Sequence, residues 1–197
     1  MGICQDRVVI ITGAGGGLGA AHAKVFAAEG AKVIVNDINQ DAAQKVVDEI
    51  AAAGGTAVVN TSDITNYDDS LNAVKQAIDT FGDLHVVLNN AGINRDRMFA
   101  SMTEADWDAI MAVHLKGHFC ITSHAVHYWR GQSKEGKAVD ARIINTTSGA
   151  GLQGSVGQSN YAAAKAGIAA LTLNQAAELA RYGITANAIA PAARTGM

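Results

Sequence analysis

Short apolar runs alternate with longer amphipathic segments along this chain. Residues 8–11 read Val-Val-Ile-Ile, a β-branched run that leads straight into glycine-rich sequence. Residues 32–35, 56–59, 85–88, 142–144 and 184–189 repeat that pattern. Six runs without polar alternation predict strands covered on both faces, as in a parallel sheet. The stretches 18–28, 41–53, 67–81, 104–129 and 159–181 have helical spacing and sufficient length. Thr103 stands before Glu104 and Asp106 as a helix entrance, a hydroxyl cap followed by acid in the first turn. The polar stretch 130–140 predicts a solvated loop. Strands alternating with helices predict right-handed βαβ units. The expected class is therefore α/β: a doubly wound parallel sheet with helices on both faces, three αβα layers.

Composition narrows the function more than the fold. With 49% apolar and 17% charged residues the 197-residue chain is globular, and no shift in composition divides it, so one domain is expected. A net charge of −3 without a run of Lys or Arg argues against nucleic acid and against an anionic membrane surface. Residues 143–164 form the longest uncharged stretch, but Gly, Ser, Asn and Gln fill it, so it does not read as membrane-spanning. The polar start at residues 1–7 does not read as a secretory leader. Cys4 and Cys120 make no disulfide framework and read as small apolar residues in a reducing cytoplasm.

The first run opens into Thr12-Gly13-Ala14-Gly15-Gly16-Gly17-Leu18-Gly19 at the start of a helix. That placement makes a dinucleotide-binding, Rossmann-type turn the expected reading. Gly13 allows the tight turn, Gly17 the approach of a pyrophosphate to the helix N-terminus, and Gly19 close packing of helix on strand. Gly15 and Leu18 belong to the same turn. Asp37 ends the second run, 18 residues past Gly19. An acidic side chain there accepts hydrogen bonds from ribose hydroxyls and repels a 2′-phosphate, so NAD(H) is expected over NADP(H). Asp63-Ile64 and Asn89-Asn90-Ala91-Gly92 follow the third and fourth runs, at the edge where parallel sheets bind ligands. Asp63 is expected near the adenine amino group, and the backbone at Asn90, Ala91 and Gly92 beside the adenosine.

Chemistry is carried by Ser148, by Tyr161 13 residues later, and by Lys165 four residues after that. Tyr161 and Lys165 share one helix face. A phenol, with an ordinary pKa near 10, is a poor base at neutral pH, and a neighbouring ammonium favours its phenolate. Ser148 can hydrogen-bond a substrate oxygen while Tyr161 moves the proton and a nicotinamide the hydride. His114 and His118 lie one turn apart on the preceding helix, but no third ligand or HExxH pattern accompanies them, so no metal is expected. His124 and His127 read as polar helix positions.

Together these residues resemble the short-chain dehydrogenase/reductase family, from Arg7 to Met197 without a break. The resemblance rests on the TGxxxGxG turn, the NNAG motif and the Ser148–Tyr161–Lys165 triad. It implies that Lys165 also holds the nicotinamide ribose. It implies too that residues 191–195 lie over the nicotinamide, with Pro191 and Thr195 as contacts. The family carries Asn where His114 stands, in a proton relay through water. Here the main-chain carbonyl of His114 would hold that water. His114, Pro191-Ala192 in place of Pro-Gly, and Gly157-Gln158 ahead of Asn160-Tyr161 look like the (3R)-hydroxyacyl-CoA dehydrogenase domains of peroxisomal multifunctional enzyme type 2 and bacterial 3-oxoacyl reductase-like relatives. A small-molecule substrate, a 3-hydroxyacyl or 3-oxoacyl thioester, is implied, as is a homodimer or homotetramer built on the fourth and fifth helices.

Family members continue past the point where Met197 stands, into a substrate-covering lid and a last strand. Either the polypeptide ends at Met197 or the remainder lies outside the sequence. A dinucleotide-binding regulator or scaffold without catalysis is the alternative function.

Overall fold

The computed structural model describes residues 2–192. Six strands form one parallel sheet: β1 (Val8–Thr12), β2 (Lys32–Asn36), β3 (Thr56–Asn60), β4 (Val86–Asn89), β5 (Ala141–Thr146) and β6 (Ile184–Ile189). Their spatial order is β3-β2-β1-β4-β5-β6, so the chain reverses direction across the sheet between β1 and β4. This is the expected Rossmann-like α/β fold. The helices α1 (Gly17–Ala28) and α2 (Gln40–Ala52) connect strands that step one way across the sheet. The helices α3 (Tyr67–Phe81), α4 (Glu104–Ile110), α5 (Gly117–Lys134) and α7 (Ser159–Leu179) serve the steps the other way, with α6 (Gly149–Gln153) a single short turn. Right-handed crossovers running in opposite directions place their helices on opposite faces.

Alternate strand positions feed the two layers of core. Val9, Ile11, Val33 and Val35 pack with Ala20, Ala23, Ala27 and Val46 of α1 and α2. Ile10, Ile34, Val87 and Ile143 pack with Val74, Ile121 and Trp129 on the other side. The alanines of α1 let that helix lie close to the sheet. Trp129, almost fully buried, donates its indole N–H to the carbonyl of Leu84 at 2.7 Å. Cys120 is buried and Cys4 half-buried.

Helix ends follow local chemistry. The Asn39 side chain accepts from Ala42 N at the start of α2, and Asn66 from Asp69 N at the start of α3. Gly82 closes α3 with a φ of 86°, a left-handed turn open to glycine. Thr103 and Asp106 form a reciprocal capping box on α4.

Three expectations need correction. The stretch 104–129 is not one regular helix: a π-helical segment, Met111–Lys116, separates α4 from α5. The stretch 130–140 is not all loop, because α5 continues to Lys134 and only the residues after it are irregular. His85 lies just outside β4, where its Nδ1 accepts from Val8 N at 3.0 Å. Among the described residues no helix is long and apolar enough to cross a membrane.

Candidate active site

The site lies at the carboxyl ends of β1, β4 and β5, where the strand order reverses. Thr12 ends β1, and its Oγ1 accepts hydrogen bonds from the main-chain N–H groups of Asn90 (3.0 Å) and Ala91 (3.1 Å) beyond β4. Asn90 returns the bond, its Nδ2 donating to Thr12 O and Gly13 O. These four bonds hold the glycine-rich turn against the end of β4. Gly13 has a φ of 62°, and a Cβ there would stand 2.7 Å from Ala91 Cα. Gly17 is also left-handed, with a φ of 51°, but a Cβ on it would meet nothing within 4 Å. A Cβ on Gly19 would fall 2.1 Å from Gly13 O. The turn is therefore packed shut beneath Gly13 and Gly19 and open above Gly16 and Gly17, the shape of a cradle for a group approaching the backbone.

Asp37 faces that turn. Its Oδ2 accepts from Gly15 N at 3.0 Å, and its Oδ1 from Asn39 N at 2.9 Å. A cavity of about 510 Å³ runs from Asp37 and Gly17 past Asn90 and Gly92 to Ser148, Tyr161 and Lys165, ending at Pro191. Asp63 and Ile64 do not line it. Asp63 Oδ1 accepts from Thr65 N and Oγ1, and Ile64 is buried in the core. Thr195 lies outside the described residues.

Ser148 caps α6, its Oγ accepting from Ala150 N at 3.2 Å. Lys165 is buried and donates to Thr146 O at 2.6 Å, while Thr147 Oγ1 donates to Lys165 O at 2.7 Å. Its ammonium stands 5.5 Å from the centre of the Tyr161 ring. Burial pushes the Lys165 pKa down to about 8. Gly151 makes room for this arrangement, since a Cβ there would lie 2.6 Å from the α7 backbone at Lys165 and Ala166.

His114 sits in the π-helical segment, buried behind Tyr161. The two rings meet edge to face, centroids 5.2 Å apart at 89°. Its Nε2 lies 2.8 Å from Ile93 O. Burial first, and the Lys165 ammonium second, lower its pKa to about 4, against an opposing pull from the Ile93 carbonyl. The imidazole is thus neutral at physiological pH, and Nε2 faces both Ile93 O at 2.8 Å and Ile93 N at 3.1 Å, the tautomer deciding which of the two it bonds. A Cβ on Gly92 would fall 2.5 Å from His114 Cε1. His118 is fully buried one turn on, and burial holds its pKa well below the ordinary value. Its two ring nitrogens have no hydrogen-bond partner among the described residues. His124 and His127 instead contact main-chain carbonyls of Tyr67 and Ser123 at the surface.

Some site residues carried no individual role in the sequence reading. The bracketing hydroxyl of Thr12 lies at the head of the glycine-rich turn. Asn160, fully buried, donates to Arg95 O and Asp106 O and so ties the loop after β4 to α7. Asn94 and Gln158 line the cavity beyond Tyr161. A polar residue predicted at the head of a helix, as Asn160 was, is the only signal a sequence offers for such a tie.

The constellation belongs to a family. The profile described as short chain dehydrogenase matches residues 7–197, and the chain is a member of that family. It is 50% identical to the hydroxyacyl-CoA dehydrogenase ChsB1 of Mycobacterium tuberculosis over 98% of this chain and 63% of that protein. It is 46% identical to the peroxisomal multifunctional enzyme type 2 of Mus musculus over 98% of this chain and 26% of that protein. A crystal structure of a short chain dehydrogenase from Mycobacterium avium superposes with a TM-score of 0.96 at 62% identity, over 98% of this chain and 70% of that one. The chain thus spans less than two thirds of the length of either curated relative.

Proposed function

We propose that this chain catalyses reversible oxidation of a secondary alcohol, a 3-hydroxyacyl thioester, to its 3-oxo counterpart with NAD(H). The observation that carries the reading is one cavity lined by the glycine turn, Asp37, Ser148, Tyr161 and Lys165 together. The open face over Gly16 and Gly17 fits a pyrophosphate, and the Asp37 carboxylate beside it fits a ribose diol better than a ribose phosphate. Gly13, Gly15, Leu18 and Gly19 shape that cradle. Asn90, Ala91 and Gly92 flank the adenosine side, and Lys165 with Pro191 holds the nicotinamide end. When bound, the nicotinamide takes or returns the hydride. Ser148 Oγ donates a hydrogen bond to the substrate oxygen. The Tyr161 hydroxyl, as phenolate, takes the alcohol proton in oxidation and returns it in reduction. The Lys165 ammonium stands 5.5 Å from the centre of that ring, and His114 steadies the ring from behind.

The thioester substrate draws support from the names of the two relatives, one a hydroxyacyl-CoA dehydrogenase. Two free thiols fit a reducing compartment such as the cytoplasm. A homodimer or homotetramer through α4, α5 and α7 is supported by exposed Phe119 and Leu173 beside an apolar surface groove lined by Met111, Ala112, Leu115 and Leu171. The test is a nicotinamide absorbance assay with (3R)-3-hydroxybutanoyl-CoA and each of NAD and NADP. Turnover with NAD is expected. Tight dinucleotide binding without turnover of any hydroxyacyl thioester or simple secondary alcohol would favour a non-catalytic regulator instead.

A further inference from the structure

Beyond Tyr161, one wall of the cavity is built from amide side chains and a tied-down loop. Gln158 stands three residues before Tyr161, at the entrance to α7, and its main-chain carbonyl accepts from Ala162 N at 2.7 Å. The loop after β4 is pinned to this entrance. Arg97 N donates to Gly157 O at 2.7 Å, Arg97 and Gln158 form an isolated parallel bridge, and Asn160 holds Arg95 O. Within this frame Gln158 Nε2 donates to Asp96 Oδ2 at 3.0 Å. A carboxylate only accepts, so the amide nitrogen must face Asp96 and the amide has one orientation. One N–H is spent on Asp96. The second N–H and Oε1 have no partner among the described residues, in a side chain that lines the same cavity as Ser148 and Tyr161. Asn94 lines that wall too, but no hydrogen bond among the described residues fixes its amide. Leu152, Val156, Met98 and Phe99, close in sequence to these tied residues, are exposed.

We infer that Gln158 is a specificity-determining residue: its free N–H donates to the thioester carbonyl of the substrate, with Asp96 a positioning residue that aims it. The inference rests on the hydroxyacyl reading above. The thioester carbonyl stands two carbons from the carbon that reacts at Ser148 and Tyr161, so a donor one helical turn from Tyr161 is placed to read it. No charge develops on that carbonyl during hydride transfer, so the bond serves ground state and transition state alike and acts on KM rather than kcat.

The experiment compares wild type with Gln158→Leu, Asp96→Ala and Asp96→Asn on (3R)-3-hydroxybutanoyl-CoA and on 2-butanol, which lacks the second carbonyl. Titration calorimetry of butanoyl-CoA, which has the carbonyl but no reacting hydroxyl, onto the dinucleotide-loaded protein gives a readout apart from turnover. Gln158→Leu is expected to raise KM for the thioester about tenfold, one hydrogen bond's worth, with kcat and the 2-butanol rate nearly unchanged. Butanoyl-CoA binding should weaken by a similar factor. Asp96→Ala should give part of that loss and Asp96→Asn, which keeps an acceptor, should restore it. Equal thioester KM and equal butanoyl-CoA affinity in wild type and Gln158→Leu would overturn the inference, as would equal losses on both substrates. A wild type that turns over neither substrate would overturn the parent reading instead.

Discussion

The two halves of the cavity are built from different material. On the β1–β2 side the surface is mostly main chain, Gly13, Gly16 and Gly17 with the side chains of Leu18 and Asp37 beside them, held by the reciprocal bonds of Thr12 and Asn90. On the β4–β5 side it is side chain: Ser148, Tyr161, Lys165, His114 and Gln158, each fixed by a bond to a carbonyl, an N–H or a carboxylate, or by packing. The first half derives its shape from what is absent, the Cβ atoms that glycine lacks. The second derives its chemistry from what is present. Substitutions in the first half should therefore damage folding and dinucleotide binding together, and those in the second should separate turnover from folding.

The sharpest separation is expected from Tyr161→Phe. Removing the hydroxyl proposed to move the proton should lower kcat by about 10³-fold, within the range for general acid–base groups, while dinucleotide affinity from fluorescence titration stays within about twofold. A variant retaining wild-type turnover would remove Tyr161 from the mechanism.

Acid should test the second half through folding. His114 has a folded pKa of about 4 against an ordinary 6.5, so between these values the unfolded chain holds more protons. Stability is fully present above pH 6.5 and declines as pH falls toward 4, by about 3 kcal/mol from this residue, with His118 adding in the same direction. Urea denaturation at pH 7 and 4.5 measures it, and His114→Asn should flatten the slope. Lys165, lowered to about 8, works at the other end: stability should rise as pH climbs from 8 toward 10.5.

Gly19→Ala should destabilise by about 1–3 kcal/mol in thermal melts, through overpacking against Gly13 O, and weaken dinucleotide binding with it. Gly17→Ala meets open space and should show only the strain of its positive φ, at the lower end of about 1–3 kcal/mol. Comparable in size is Asp37→Ser, expected to shift the NAD-over-NADP preference about tenfold toward NADP, near 1.4 kcal/mol. An unchanged preference would remove the ribose role from Asp37.

Legibility in the sequence differed between the halves for the same reason. The glycine turn is a local motif, contiguous from Thr12 to Gly19, and its position between a buried strand and a helix is visible from periodicity. Helix α3 keeps the bounds its spacing predicts, and the structure shows Asn66 and Gly82 capping its two ends. The π-helical segment was invisible, since a one-residue slip in hydrogen bonding leaves the apolar spacing of residues 104–129 almost unchanged. The last turn of α5 hid behind its polar composition, although Arg130 to Ser133 are half-buried. Tyr161 and Lys165 were readable from their spacing on one helix, but Asn160 and Asp96 act across 54–65 and 62 residues of chain respectively, and only the fold brings those partners together.

The missing side chain at Gly92 has a consequence for variation. With a Cβ position 2.5 Å from the His114 ring, residues 92 and 114 form a reciprocal lock 22 positions apart in sequence. Any side chain at 92 excludes the imidazole, whereas a smaller residue at 114 opens room for one at 92. Mutational tolerance at the two sites is thus non-additive: Gly92→Ala should be severe alone and mild once His114 has been shortened. Directed diversification of this pocket must move the two as a pair.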